Sequence, residues 1–432
     1  MAKPMDIISE AKRFVELLRQ LANRSAWDWQ RCPHCGKRMT RKNGSYTRRP
    51  WFFDGRHAVR VQRHWCHSCR RTYSEQSALL IRGSWYARDV HRSAIDHWQH
   101  AGSSLRRTAE WLRSWLGRQQ RWQLWRPLDE AGAQERCYLS ASTLHRWLDK
   151  AGERAEKTVP RQLAAVPTSG QVGVDGLWAR LRDGVKRVLL ALVDSASGVV
   201  WPPVVVAGED TELAWDHLFT RAKKAGLDLD ALRGVVSDGS RGLLGYLRGA
   251  LKWVNHQRCV WHLWFDLCRL MVQQVREATA DQVGSAAQVA RRQLRRELVG
   301  LVRAVWDASS YAQAEVALAE LKAHVWGRKL AQAIEANLDA ALVHLQEYNR
   351  GLGRVAPEWL WRDFRLRLSR GRNHGSDQRL ERAGLVWAVY HNFEPAQWRS
   401  ERKRHYRRPG QSPLAKAGVP PGEVSYLDAL AV

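Results

Sequence analysis

Cysteine placement constrains this chain more than any other feature. Cys32 and Cys35 stand two residues apart in CPHCGKR, and Cys66 and Cys69 repeat the spacing in CHSC. Two CxxC knuckles bring four thiolates to the corners of a tetrahedron, which closes a structural Zn²⁺ site and leaves no ligand position open for water. Gly36, directly after the first knuckle, suits its tight turn. Between the pairs, YTRRPWFFDGRHAVRVQRHW reads as strand, Asp-Gly turn and strand. Residues 31–80 are therefore expected to form a zinc ribbon. His34, His64 and His67 stand near enough to substitute as ligands, although four thiolates already fill the site. Seven cysteines in 432 residues do not suggest a disulfide scaffold.

Charge narrows the partners. The chain carries 70 Lys+Arg against 43 Asp+Glu, a net +27, so a polyanion is expected, with nucleic acid first. The ribbon's Arg48 and Arg49 are candidate phosphate contacts. No apolar run approaches the roughly twenty residues that span a bilayer. The start, MAKPMDIISEAKRFVELLRQ, lacks the apolar core of a signal peptide, and residues 1–30 read as an amphipathic helix. The expectation is a cytoplasmic, nucleoid-associated protein with no membrane partner.

Residues 86–155 turn helical. VHRSAIDHWQHA, SLRRTAEWLRSWL and LSASTLHRWLDKAG each space apolar residues at a helical period. The third begins with small polar residues and carries Ser142, Thr143, His145 and Arg146 in its first turns, as a DNA-reading recognition helix does. A plain three-helix packing unit has the same pattern. RQQRWQLWRPLDEAGAQER reads as a loop, and KTVPRQLAAVPTSG as a Pro-containing linker.

Beyond the linker the period falls to two. QVGVDGLWARL, VKRVLLALVD and VVWPPVVVA are three strand candidates, the last marked by its Pro pair as an edge or bulge. DTELAWDHLFTRAKKAG is a helix, and DALRGVVSDGS a short buried strand ending at Asp238. The order is β-β-β-α-β. A strand reached through a helix crossover lies parallel to an earlier one, so Asp175 and Asp238 can converge at one sheet end. Two unpaired carboxylates repel, and a divalent cation relieves that repulsion. Asp175-Gly176 as a hairpin turn and Asp238 as a helix cap are the competing readings of each acid taken singly.

The series GVDGLW, GEDTE, VVSDGSRGL and QRCVWHL resembles the Mutator-like (MULE-type) group of bacterial insertion-sequence transposases, over roughly residues 30–400. The resemblance implies an RNase H-like α/β catalytic core over 168–268 and 352–400, interrupted by a helical insertion at 269–351. The N-terminal zinc ribbon and helix-turn-helix would precede it, and a basic tail at 401–432 would follow. It implies a DDE transposase that cuts and joins DNA with two Mg²⁺ or Mn²⁺ per active site, held by Asp175, Asp238 and Glu358. Cys259 and His262 match the CxxH that lies near the active site in similar proteins. Glu358 follows Pro357 at a helix start and precedes a GS loop and an HNF ending; Asp363 and Glu381 compete for the same role. The implied partners are double-stranded DNA, as terminal inverted repeats and target, and a second subunit in a dimer or higher oligomer. A silent DNA-binding regulator and a nuclease without strand transfer are the alternatives. Of the 23 tryptophans, Trp261, Trp359 and Trp361 stand beside these motifs, where stacking on unpaired bases competes with packing.

Overall fold

The computed structural model describes residues 30–53, 55–75, 79–122, 138–349, 352–354, 364–365, 374–394, 411–420, 422, 424–430 and 432, with backbone alone at 117–122 and 348. The expected helix at 1–30 falls outside them but for its last residue. The chain divides into two compact units, residues 1–148 with 432, and 149–431.

In the first unit, β1 (Thr40–Arg48), β4 (Val59–Cys66) and β5 (Thr72–Ser74) form an antiparallel sheet in the order β1-β4-β5. β1 begins six residues before the expected strand. The Asp-Gly turn does not join the long strands. Asp54 lies outside the described residues, and Gly55 opens a separate small ladder, β2 (Trp51–Phe52) with β3 (Gly55–Arg56). Phe52, Val61, Leu80 and Ala87 make the small core beneath.

Three helices follow: α1 (Arg88–Ala101), α2 (Leu105–Trp122) and α3 (Ala141–Leu163). Each buries one stripe, Val90, Ile95 and Trp98 on α1, Leu105, Leu112 and Leu116 on α2, and Leu144, Trp147 and Leu148 on α3. Ser140 caps α3, its Oγ accepting from the Thr143 N–H at 3.2 Å. The expected linker is shorter than its Pro content suggested. α3 continues through Pro160 to Leu163, because proline removes one N–H from the helix without ending a segment held from outside. Thr158 Oγ1 and Gln162 Nε2 donate to the Ala429 carbonyl at 2.9 and 3.0 Å and supply that hold.

The second unit is mixed α/β. β6 (Gln171–Arg180) and β7 (Lys186–Asp194) pair antiparallel across nine residue pairs, and β7 pairs with the short β8 (Val204–Val206). β8 is an edge strand, and Pro202 and Pro203 precede it. Helix α4 (Glu212–Lys224), capped by Thr211, leads to β9 (Gly234–Ser237), which lies parallel to β6. α5 (Arg241–Ala250) then leads to β10 (Asn255–Arg258), parallel to β9. The sheet order is β10-β9-β6-β7-β8. β10 is one strand more than the sequence pattern suggested.

Helix α6 (Val260–Ala278) opens a helical layer completed by α7 (Gly284–Trp306), α8 (Tyr311–Ala323), α9 (Arg328–Glu335) and α10 (Leu338–Ala341). Its core runs from Val260 and Leu263 to Leu342. The boundary expected at 268/269 therefore falls inside α6, because one buried stripe serves the whole helix. α11 (Asp377–Phe393), capped by Ser376, packs Leu380, Trp387 and Ala388 with Leu177, Leu189, Ala191 and Phe364. The tail also differs from a loose extension: α12 (Pro413–Lys416) and α13 (Tyr426–Ala429) are ordered, and Leu414, Tyr426 and Leu430 are buried.

Candidate functional site

The cysteines come together as their spacing requires. Cys32 Sγ lies 3.6 Å from Cys69 Sγ, and Cys35 Sγ lies 3.6 Å from Cys66 Sγ. All four ligand atoms fall within 4.8 Å of one another. A Zn–S bond of about 2.3 Å gives a tetrahedral S–S edge of about 3.8 Å, so the thiols fit Zn²⁺. Each knuckle closes through a backbone bond, Gly36 N–H to Cys32 O at 2.8 Å and Arg70 N–H to Cys66 O at 2.9 Å. Gly36 and Arg70 share the left-handed conformation, with φ 72° and 56°, so glycine suits this turn without being required in both copies. The backbone N–H of Cys69 draws the Cys66 thiol down to about 7, toward the thiolate a metal takes. His64 is a core residue, 2% exposed and stacked on Tyr73 at 5.3 Å.

Two DNA-contact candidates part company. Arg49 is exposed, whereas Arg48 is committed internally, its guanidinium donating to the carbonyls of Ile81 and Ser84. On α3, Ser142 and Arg146 are exposed and Thr143 and His145 half-buried, while Leu144, Trp147 and Leu148 face inward.

The acids of the second unit are placed by sheet register. Gln171, Val172 and Gly173 of β6 pair with Gly234, Val235 and Val236 of β9. Two residues on from Gly173 and Val236 come Asp175 and Asp238. Asp175 continues β6 and Asp238 is the first residue beyond β9, so the register brings both acids to the same end of adjacent parallel strands. Asp175 is 7% exposed, its Oδ1 accepting from the Gly176 N–H at 2.8 Å. Asp238 stands just past β9, its Oδ1 accepting from Ser240 N–H at 3.1 Å. Asp175 is therefore a mid-strand residue rather than a turn. The cap of α5 is not made by a side chain.

A ring of polar groups surrounds the Asp238 turn. Ser237 Oγ lies 2.8 Å from His256 Nε2 and accepts from Gly239 N–H at 2.9 Å. Burial, with Arg258 adding to it, pushes His256 down to about 4, so the ring is neutral. The Arg258 guanidinium rests on Gly239, its Nη1 2.5 Å from where a Cβ would stand.

Glu209, whose place in GEDTE suggests no role by itself, lies near Asp238 on the face of β6 that carries Gly176 and Trp178. Its Oε2 lies 2.5 Å from the position of a Cβ on Gly176, so a side chain at 176 would displace it. The Trp178 indole donates to its carboxylate, and Trp215 Nε1 donates to its carbonyl at 2.7 Å. Burial first, then the field of Asp238, pushes the Glu209 carboxyl up to about 7.

The CxxH pair splits in function. Cys259 is fully buried with Val236 and Leu352, and its N–H donates to Ser237 O at 2.7 Å. His262 is half-buried, and its field acts on Glu209. Glu358 and Asp363 lie outside the described residues, as do Trp359 and Trp361. Glu381 pairs with Arg221 and accepts from Val205 N–H at 2.9 Å, tying down the edge strand β8. Asn392 of the HNF ending clamps Val200 from both sides, accepting from its N–H and donating to its carbonyl at 2.8 Å each. Among the described residues, the cysteines are the group of three or more ligands gathered tightly enough for a metal. No described helix is long and apolar enough to cross a membrane.

No curated protein shows significant sequence similarity to the chain. Residues 139–352, the stretch that contains both acids, match the family described as transposase, Mutator family, which supports a Mutator-like transposase.

Proposed function

We propose that the protein is a DDE-type transposase, which cuts DNA at the ends of a mobile element and joins those ends to a target. The observation that carries this reading is the β6–β9 register, which brings Asp175 and Asp238 to the same end of adjacent parallel strands. Three antiparallel strands followed by two parallel ones, in the order β8-β7-β6-β9-β10, support an RNase H-like core. Phe364, six residues beyond Glu358, is buried in the layer that holds Leu177 of β6. The third carboxylate of this reading is Glu358.

Acids concentrated at one sheet end, including a Glu209 carboxyl that Asp238 helps push up to about 7, fit a divalent cation. Mg²⁺ or Mn²⁺, two per site, would activate the attacking oxygen and stabilise the leaving oxygen of an in-line displacement. The protein's part is to hold the carboxylates still. β6, central in the sheet, fixes Asp175, and the Ser240 N–H fixes Asp238. His256 and Ser237 brace that turn without adding charge, and Cys259 seals the strand end beneath it. The zinc ribbon with Arg49, and the first turns of α3 with Ser142, Thr143, His145 and Arg146, would bind the element ends. Pairing two ends calls for at least a homodimer.

The test uses duplexes from the DNA flanking the gene, chosen for short inverted repeats, incubated with Mg²⁺ or Mn²⁺. Cutting at the repeat boundary and joined products are expected from the wild type and not from Asp175→Ala, Asp238→Ala or Glu358→Ala. Cutting without joining would mark a nuclease. Salt-sensitive binding with no cutting in either metal would mark a silent DNA-binding protein.

A further inference from the structure

Helix α6 does two jobs on opposite faces. Val260, Leu263, Leu267, Met271 and Val275 are buried in the helical core. On the other face Trp261, 42% exposed, and Phe265, 49% exposed, lead at four-residue steps to exposed Arg269. These side chains are already ordered. The Trp261 and Phe265 rings stack at 5.9 Å with planes 16° apart, and the Arg269 guanidinium lies 4.9 Å from the Phe265 centroid. A helix whose outer face serves only solvent carries polar residues there. Trp201, Trp215 and Trp387 are among the largest fully buried side chains, whereas Trp261 stays exposed, as Trp85, Trp178 and Trp253 do.

The ridge starts beside the acids. Trp261 meets the edge of His262 at 5.1 Å, His262 acts on Glu209, and Glu209 is held by Trp178. Trp178 is 53% exposed and stands three residues after Asp175 on β6. Exposed rings thus stand at both ends of this stretch, Trp178 on the acid-bearing strand and Trp261 at the start of the ridge on α6.

We propose that this run is a track for a DNA strand with unpaired bases, Trp261 and Phe265 stacking on bases and Arg269 meeting a phosphate. The proposal rests on the transposase reading of Asp175 and Asp238, and adds the form in which the substrate lies beside them. Charge complementarity selects the occupant: the stripe runs from rings into Arg269 and exposed Arg276, on a chain of net charge +27. Aromatic rings take any base, since every base has a π-face, and a basic edge follows the backbone.

The experiment measures binding without divalent ion, by fluorescence anisotropy, of one labelled sequence as single strand and as blunt duplex. A 2-aminopurine in the single strand reports stacking through its quenching. The double variant Trp261→Ala, Phe265→Ala should lose at least about twentyfold in single-strand affinity, since one stacked base is worth roughly 5- to 150-fold. Quenching should vanish, while duplex affinity changes less than about threefold. Trp261→Phe, which keeps a ring, should restore quenching, and matching thermal melts would show that the variants fold. Unchanged single-strand affinity overturns the proposal. So does an equal loss on both DNAs, or a variant that turns from oligomer to monomer in sedimentation, which would make the ridge a subunit contact. The two readings fail separately: a wild type that cuts no DNA end refutes the acids' role and leaves the binding result standing, whereas unchanged single-strand affinity in the double variant refutes the track alone.

Discussion

One site of this chain gathers four thiols that fit a metal ion, the proposed catalytic site pairs two carboxylates, and the two are built in opposite ways. The four thiols come from two short knuckles within 38 residues, each turned by its own backbone hydrogen bonds. The carboxylates Asp175 and Asp238 lie 63 residues apart, on β6 and just past β9, which meet only once two further strands and a helix have been laid down between them. The first site carries its geometry in local spacing and the second borrows it from a sheet. Losing the first should therefore cost structure, and losing the second should cost chemistry.

The largest expected effect tests the first half of that contrast. Cys66→Ser should drop bound zinc from one per chain to none and unfold residues 31–80, because structural zinc contributes on the order of 10 kcal/mol to domains of this size. Metal analysis and amide exchange would check it; undiminished zinc would show that the thiols hold no ion. Asp238→Asn sharpens the other half. It should lower DNA cutting on the order of 10²–10³-fold while zinc content and melting temperature stay put, as gel assays and calorimetry would show. A matching loss of stability would make Asp238 a structural acid.

Glu381→Gln should behave the other way round. It breaks the largely buried pair with Arg221, whose side chains are 16% and 22% exposed, at a cost of roughly 3 kcal/mol. That is a fall on the order of 5–10 °C in melting temperature, with cutting by the remaining folded protein retained. Cutting that vanishes in a stable variant would return Glu381 to the catalytic set. The smallest effect is one of pH. Glu209 moves from 4.5 to about 7 on folding, so the native state binds the extra proton between these values. Stability then falls as pH rises from about 4.5 to 7. Glu209→Gln, melted without added divalent ion, should lose that slope. Parallel wild-type and variant profiles would mean that Glu209 is ionised at no cost.

The contrast also explains what could be read from residues alone. Periodicity revealed β6, β7, α4 and β9, because alternation and helical spacing survive in sequence whatever packs above them. β10 was hidden, since Asn255, His256, Gln257 and Arg258 look like loop residues. Gln257 is buried only because Ala341, 84 residues on, accepts from its Nε2 at 2.6 Å and His344 N–H reaches its Oε1 at 2.8 Å. Arg48 looked like a phosphate contact until the carbonyls of Ile81 and Ser84 claimed its donors.

By itself, then, the sequence determined the cysteine tetrahedron, the strand–helix rhythm of the core, and that Asp175 lies on a strand and Asp238 ends one. Only tertiary structure decided which polar side chains are committed to internal partners and which are left to solvent. It set Glu209 against Gly176, tied Glu381 to β8, buried Cys259, and left Trp178 and Trp261 in solvent. Spacing encodes a backbone's local path, but the role of a polar or aromatic side chain depends on what distant segments place beside it.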